Sequence, residues 1–206
     1  MKLLILGGTG RVGGQIVTHA LEDGHHVTVL ARNPEKFQVH HENLAVIQGN
    51  VLHKDDIAGA MHGIDVVLSA LNTDGTTTLS ESIPLLIEAM EQEGVTRIIT
   101  IGTAGILQSR GNANLLRYQT NESRQRSVRA AKEHHKVYDL LRQSKLDWTI
   151  VCPTYLPDGE RVGSYRTESN YLPEGGSKIS VPDTAAFAYS QIKSSEYVKM
   201  RVGIAY

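Results

Sequence analysis

The chain has 206 residues and a formal net charge of −1, from 21 Lys and Arg against 22 Asp and Glu. This length suits one domain with a sizeable core, and the charge balance argues against a general nucleic-acid binder. No apolar run reaches membrane-spanning length, Met1-Lys2 leads into a strand-like run without a signal-peptide pattern, and the single cysteine, Cys152, excludes an internal disulfide, so a reducing cytoplasm is the expected compartment.

In chain order, the apolar run Leu3 to Leu6 breaks at once into a glycine loop, Gly7-Gly8-Thr9-Gly10-Arg11-Val12-Gly13. A helical pattern follows from Gln15 to Leu21, then a turn at Asp23-Gly24, then a second strand from Val27 to Ala31. This is a strand–turn–helix–strand unit of about 30 residues, the setting in which a glycine fingerprint predicts dinucleotide binding. Gly8-x-Gly10-x-x-Gly13 fits the general pattern and Gly7-x-x-Gly10-x-x-Gly13 the looser spacing of short-chain dehydrogenases. Such a loop lets backbone amides at a helix N-terminus approach a pyrophosphate. Arg32 stands at the strand end where an acid would bind the ribose 2′-OH of NAD; an arginine there suits the 2′-phosphate of NADP. Arg11 is a candidate second cation for that phosphate.

The alternation continues. Leu44 to Gln48 is a third strand, closed by Gly49-Asn50. Asp55 is placed to cap a helix running to about His62, and Gly63 stops it. Asp65 to Ala70 is a fourth strand, followed by a loop with Asp74-Gly75. Leu79 to Glu93 has helical periodicity and ends at Gly94. Thr96 to Gly102 is a fifth strand, and Asp147 to Cys152 a sixth, ended by Pro153. The strands are short apolar runs, as parallel strands covered on both faces require. The expected fold is α/β: a doubly wound parallel sheet of Rossmann type, one domain spanning 1–206 with a small C-terminal substrate-side extension over 157–206.

Two segments break the rhythm. Residues 104–144 are long for a crossover and basic in the middle, where Arg110, Arg117, Arg124, Arg126, Arg129, Lys132 and Lys136 face only Glu122 and Glu133. This is either a solvated face or an attractor for an acceptor's phosphate. After Pro157 the pattern predicts a short strand at Lys178 to Ser180, a helix from about Thr184 to Lys193 and a closing strand at Val202 to Ala205. The nine histidines show no zinc-type spacing and are expected to be solvated surface residues.

Ligands of open α/β sheets lie beyond the carboxyl ends of the strands. The adenosine half of the site is then Gly7 to Gly13, Arg32, Asn50 and Val51, with Asn50 on the adenine edge and Val51 over its face. The nicotinamide half is Ala70, Leu71 and Asn72, Thr103 to Gly105, and Pro153, Thr154, Tyr155 and Leu156.

The segments GGTGRVG, VLAR, DVVLSA, IITIGTAG, LLRQSKLDWTIVCPTYL and ISVPDTAAF resemble the atypical short-chain dehydrogenase/reductases. Among these the chain is similar to small NAD(P)H-binding, NmrA-like proteins related to the biliverdin-IXβ and flavin reductases. The resemblance implies hydride transfer from NADPH to flat acceptors such as FMN or riboflavin. It aligns Thr103 with a serine and Tyr155 with a histidine of the flavin reductase, so both are departures and both are candidate catalytic residues. The usual Tyr-x-x-x-Lys pair is missing: Ala130 and His134 occupy those positions, and Tyr138 reads as a packing residue. Ordinary alcohol–ketone chemistry is therefore not expected. The alternatives are a non-catalytic NADP(H)-binding redox sensor and a sugar-nucleotide epimerase or dehydratase. The expected partner is a small planar molecule, with neither nucleic acid nor membrane, for a monomer or small homo-oligomer.

Overall fold

The computed structural model describes residues 1–73, 75–123 and 128–206. Its helices and strands are β1 Lys2–Leu6, α1 Arg11–Glu22, β2 His26–Ala31, β3 Leu44–Gln48, α2 Lys54–Met61, β4 Val66–Ser69, α3 Thr78–Glu93, β5 Arg97–Ile101, α4 Arg129–Gln143, β6 Asp147–Pro153, β7 Arg166–Ser169, α5 Val181–Ser190 and β8 Met200–Ala205. One sheet holds all eight strands in the order β3-β2-β1-β4-β5-β6-β8-β7. Every pairing is parallel except that of β7 with β8. This is the expected Rossmann-type α/β fold.

The pleat of β1 explains the two layers. Leu4 and Leu6 face a core shared with α2, α3 and α4, and Leu3 and Ile5 face a second core shared with α1 and α5. All four are fully buried. A strand hydrophobic at every position is what two helical layers demand. The edge strand β3 departs from this: it pairs on one side only, and Ala45, Ile47 and Gln48 are exposed.

Several boundaries differ from the sequence expectation. Helix α1 begins at Arg11, four residues early, because the chain enters it straight from the glycine loop. Asp55 lies in the first turn of α2, and His53 holds the capping position. Pro153 is the last residue of β6, paired with Ile204, and not the residue beyond it. Lys178 to Ser180 is not a strand; Lys178 makes a single bridge to Tyr155. The seventh strand is instead Arg166–Ser169, whose polar sequence RTES carries no strand signal and is held by β8. Helix α5 starts at Val181, where Ser180 accepts the amide of Asp183 at 3.3 Å, and it stops at Ser190. Asp74 of the predicted turn lies outside the described residues.

Candidate functional site

All parallel strands end on one edge of the sheet, and the glycine loop closes over the end of β1. Gly7 has φ +75°, and a Cβ there would stand 2.5 Å from the Ala70 carbonyl oxygen at the end of β4. A Cβ on Gly13 would stand 2.1 Å from Gly7 O. Neither position admits a side chain, so the loop lies flat against the neighbouring strand. Gly10 N donates to Gly7 O at 2.9 Å and tightens the turn. The first intrahelical bond of α1 runs from Gly14 N to Gly10 O, which leaves the amides of Arg11, Val12 and Gly13 without a carbonyl inside the helix. No side chain caps this end and no acid stands in the first turn. An uncapped N-terminus with a side-chain-free approach fits a dinucleotide pyrophosphate. Thr9 is exposed on the rim, and Val12 is buried.

On one flank, Arg32 is exposed at the end of β2. Asn50 builds the turn into α2: its Oδ1 accepts from Leu52 N at 3.1 Å and its own N donates to Asp56 at 2.7 Å. These two bonds use its Oδ1 and its backbone N, not its side-chain NH₂. Val51, expected over the adenine face, is buried in the core.

On the other flank, a cavity of about 570 Å³ opens beyond the ends of β5 and β6. It brings together Thr103, Ala104 and Gly105 after β5 with Thr154 and Tyr155 after β6. Thr103 Oγ1 accepts from Gly105 N at 3.4 Å and caps the short helical turn Ala104–Ile106. Thr154 Oγ1 donates to Ser177 O at 3.2 Å. Tyr155 is pinned through its backbone, its carbonyl accepting from Ile179 N at 3.0 Å, while its side chain stays open: the residue is 70% exposed. Ala70 and Leu71 are half-buried and do not line this cavity, Asn72 is exposed with its Oδ1 held by Thr73 N, and Pro153 is buried in β6.

The cavity wall also holds residues that sequence reasoning left in a charge run. Arg117 pairs with Glu122 at 3.1 Å, both half-buried. Glu122 also accepts from Ser109 Oγ at 2.6 Å and Gly111 N at 2.9 Å. Burial works to raise the Glu122 carboxyl, but these hydrogen bonds and the Arg117 charge outweigh it and hold it below its ordinary value. Burial lowers Arg117 in turn. The basic segment is thus partly neutralised: Arg110 pairs with Glu168 at 2.5 Å and Lys136 with Glu133 at 2.8 Å. Arg124 and Arg126 lie outside the described residues.

Tyr138 packs edge-on against Trp148 at 5.8 Å and lies under Arg201 at 4.3 Å, away from the cavity lining. The expectation of solvated histidines fails at four positions: His25 is buried, and His19, His134 and His135 are half-buried. Burial holds the His25 imidazole below the ordinary value. Burial lowers the half-buried His134 to about 4. Among the described residues no three His, Cys, Asp or Glu side chains are grouped to hold a metal, and no helix is long and apolar enough to cross a membrane.

Fold and glycine loop together define a nicotinamide-dinucleotide-binding Rossmann protein. The family model for NAD(P)H-binding proteins matches residues 7–195, and the chain belongs to that family; its fold is consistent with the atypical short-chain dehydrogenase/reductases. It is 26% identical over 211 residues to the uncharacterized protein YwnB of Bacillus subtilis, covering 98% of this chain and 96% of that one. It is 30% identical to the photosystem II assembly factor Ycf39 of Synechocystis, over 48% of this chain but only 32% of that longer protein. Among solved structures it is similar to a Streptococcus pneumoniae protein described provisionally as an NADH-flavin reductase, with TM-score 0.83, 27% identity, and 100% and 99% of the two chains covered. A Bacteroides thetaiotaomicron protein described provisionally as an epimerase matches with TM-score 0.86 and 27% identity, over 100% of this chain and 96% of that one.

Proposed function

We propose that this protein is a cytoplasmic NADPH-dependent reductase that passes hydride to a flavin or a similar planar conjugated acceptor. The observation that carries this reading is the cavity after β5 and β6, which unites the Thr103 hydroxyl with the open Tyr155 ring and among its described residues contains no tyrosine–lysine pair. The amides of residues 11–13 hold the pyrophosphate, Asn50 meets the adenine edge, and Arg32 faces the 2′-phosphate, where a guanidinium fork matches phosphate oxygens. A bound nicotinamide supplies the hydride. Thr103 orients the ring or the acceptor by a hydrogen bond, and Tyr155 offers a flat face for stacking. No proton-exchanging side chain is needed, because an isoalloxazine accepts hydride directly and takes its proton from the water that this open cavity admits. The similarity to the Streptococcus pneumoniae protein supports the flavin. An epimerase needs a group that exchanges protons with a substrate hydroxyl, and among the described residues of the cavity no lysine stands beside Tyr155 to activate it.

Steady-state assays with NADPH and FMN or riboflavin test the proposal. Acceptor-dependent loss of absorbance at about 340 nm, the reduced-nicotinamide band, is expected. Tight cofactor binding without that loss would transfer the reading to a non-catalytic NADP(H) sensor.

A further inference from the structure

The segment between β6 and β7 forms a strap that reaches back to the glycine loop. Arg11, the first residue of α1, donates through Nη1 to Asp158 Oδ1 at 2.9 Å and to the Leu156 carbonyl at 3.2 Å. Arg11 follows β1, its two partners follow β6, and β4 and β5 lie between those strands. With neighbouring strands about 4.8 Å apart, the bridge closes a gap of roughly 14 Å along the carboxyl edge of the sheet. That edge is where the ligand of an open α/β sheet lies.

Both ends of the strap are fixed. Val181 N donates to Pro157 O at 3.0 Å. Further along, the amides of Val162 and Gly163 donate to the two oxygens of Asp183, each at 2.9 Å. Residues 158–161 between these anchors are exposed. Gly159 and Gly163 have φ +91° and +76°, so the strap turns at conformations that glycine adopts without strain.

The bridge also gives Arg11 a direction. Arg32 follows β2, on one side of β1, whereas Leu156 and Asp158 follow β6, on the other. The sequence pattern suggests that Arg11 joins Arg32 around one phosphate; the side chain instead turns toward the acceptor half.

We propose that Arg11 is a clamp residue common to both nicotinamide cofactors, which with Asp158 closes the strap over the pyrophosphate–nicotinamide half, while the 2′-phosphate is read from the β2 side alone. The inference rests on the dinucleotide site and not on the identity of the acceptor.

Stopped-flow fluorescence of NADPH and NADH dissociation tests it on the full chain, with Arg11→Met, Asp158→Asn, the charge swap Arg11→Asp with Asp158→Arg, and Arg32→Met as contrast. Both strap residues are exposed, so thermal melts should stay at the wild-type value. Each single strap variant should speed release of both cofactors by the same factor, about two- to fivefold for an exposed pair. The swap should restore slow release, and the difference should shrink at high salt. Arg32→Met should weaken NADPH and leave NADH unchanged. Two results would overturn the proposal: selective loss of NADPH in Arg11→Met, which would make Arg11 a reader of the 2′-phosphate, or unchanged release of both cofactors in Arg11→Met and Asp158→Asn. A wild-type chain that binds neither dinucleotide would overturn the clamp together with the site, whereas failure of flavin turnover alone would leave the clamp standing.

Discussion

The two halves of the cleft are built on opposite principles. The cofactor half is made of backbone: Gly7 and Gly13 bring main chain against main chain, and the amides at the start of α1 point outward with nothing capping them. The acceptor half is made of side chains that hold loops: Glu122 gathers Ser109, Gly111 and Arg117, and the buried Asp183 gathers Val162, Gly163, Ser180 and Tyr206. Backbone sites tolerate almost no substitution at their contact points but need no particular ionisation state. Side-chain sites tolerate variation in sequence but depend on charge. This difference predicts a fixed cofactor and a changeable acceptor on one scaffold, in line with the general rule that function is grafted onto such folds.

The sharpest way to break the comparison is at Gly13. Gly13→Val would push a Cβ into the Gly7 carbonyl, where ideal geometry leaves 2.1 Å. Overpacking of this kind costs about 1–3 kcal/mol, and here it also displaces the loop proposed to hold the cofactor. Loss of measurable NADPH quenching is expected together with a lowered melting temperature. Wild-type affinity in this variant would show that the loop is not the binding element.

The second test is charge dependence. Asp183→Ala removes the acceptor of two backbone amides, the Ser180 hydroxyl and the Tyr206 phenol in a fully buried place, and should destabilise the fold by about 3 kcal/mol. Burial works to raise this carboxyl, but the four hydrogen bonds outweigh it and hold it below its ordinary 3.8. A carboxyl lowered in the folded state binds fewer protons than in the unfolded chain, so its contribution is complete above about 3.8 and lost as pH falls through the folded value. His134 acts at higher pH. Its imidazole falls from 6.5 to about 4 on burial, so the unfolded chain takes up the proton first. Stability should therefore decline from about pH 6.5 down to about 4, and the slope should become shallower in His134→Gln, the remainder coming from His25, whose imidazole burial also lowers. Urea melts across this range would register both. The glycine loop itself carries no group that titrates there; the acid sensitivity sits in the elements around it, at His25 before β2, His134 in α4 and Asp183 in α5.

The same division decides what the sequence made legible. The unit from β1 to β2 could be read because each glycine acts on residues within its own loop, and the central strands because both faces of each are apolar. Distant partners hid the rest. Asp183 sits in a recognisable segment, ISVPDTAAF, yet its role depends on amides 20 and 21 residues upstream and a phenol 23 residues downstream. Strand β7 exists because β8 offers it an edge, not because RTES prefers extension. Arg117 and Glu122 looked like part of a charge run until folding set them in one wall. The direction of Arg11 was hidden for the same reason, its partner lying 147 positions away.

The smallest expected effect separates two uses of Tyr155. If the ring serves by stacking, Tyr155→Phe should keep flavin turnover near wild type, because the aromatic face is retained. Tyr155→Ala should raise KM about fivefold with kcat little changed, as removal of an aromatic contact worth about 1 kcal/mol requires. If the phenol instead donates a proton, Tyr155→Phe should lower kcat with KM little changed. The exposed ring and its backbone anchoring to Ile179 favour stacking: the main chain fixes where the ring stands, and among the described residues of the cavity lining the one guanidinium, Arg117, is already paired with Glu122.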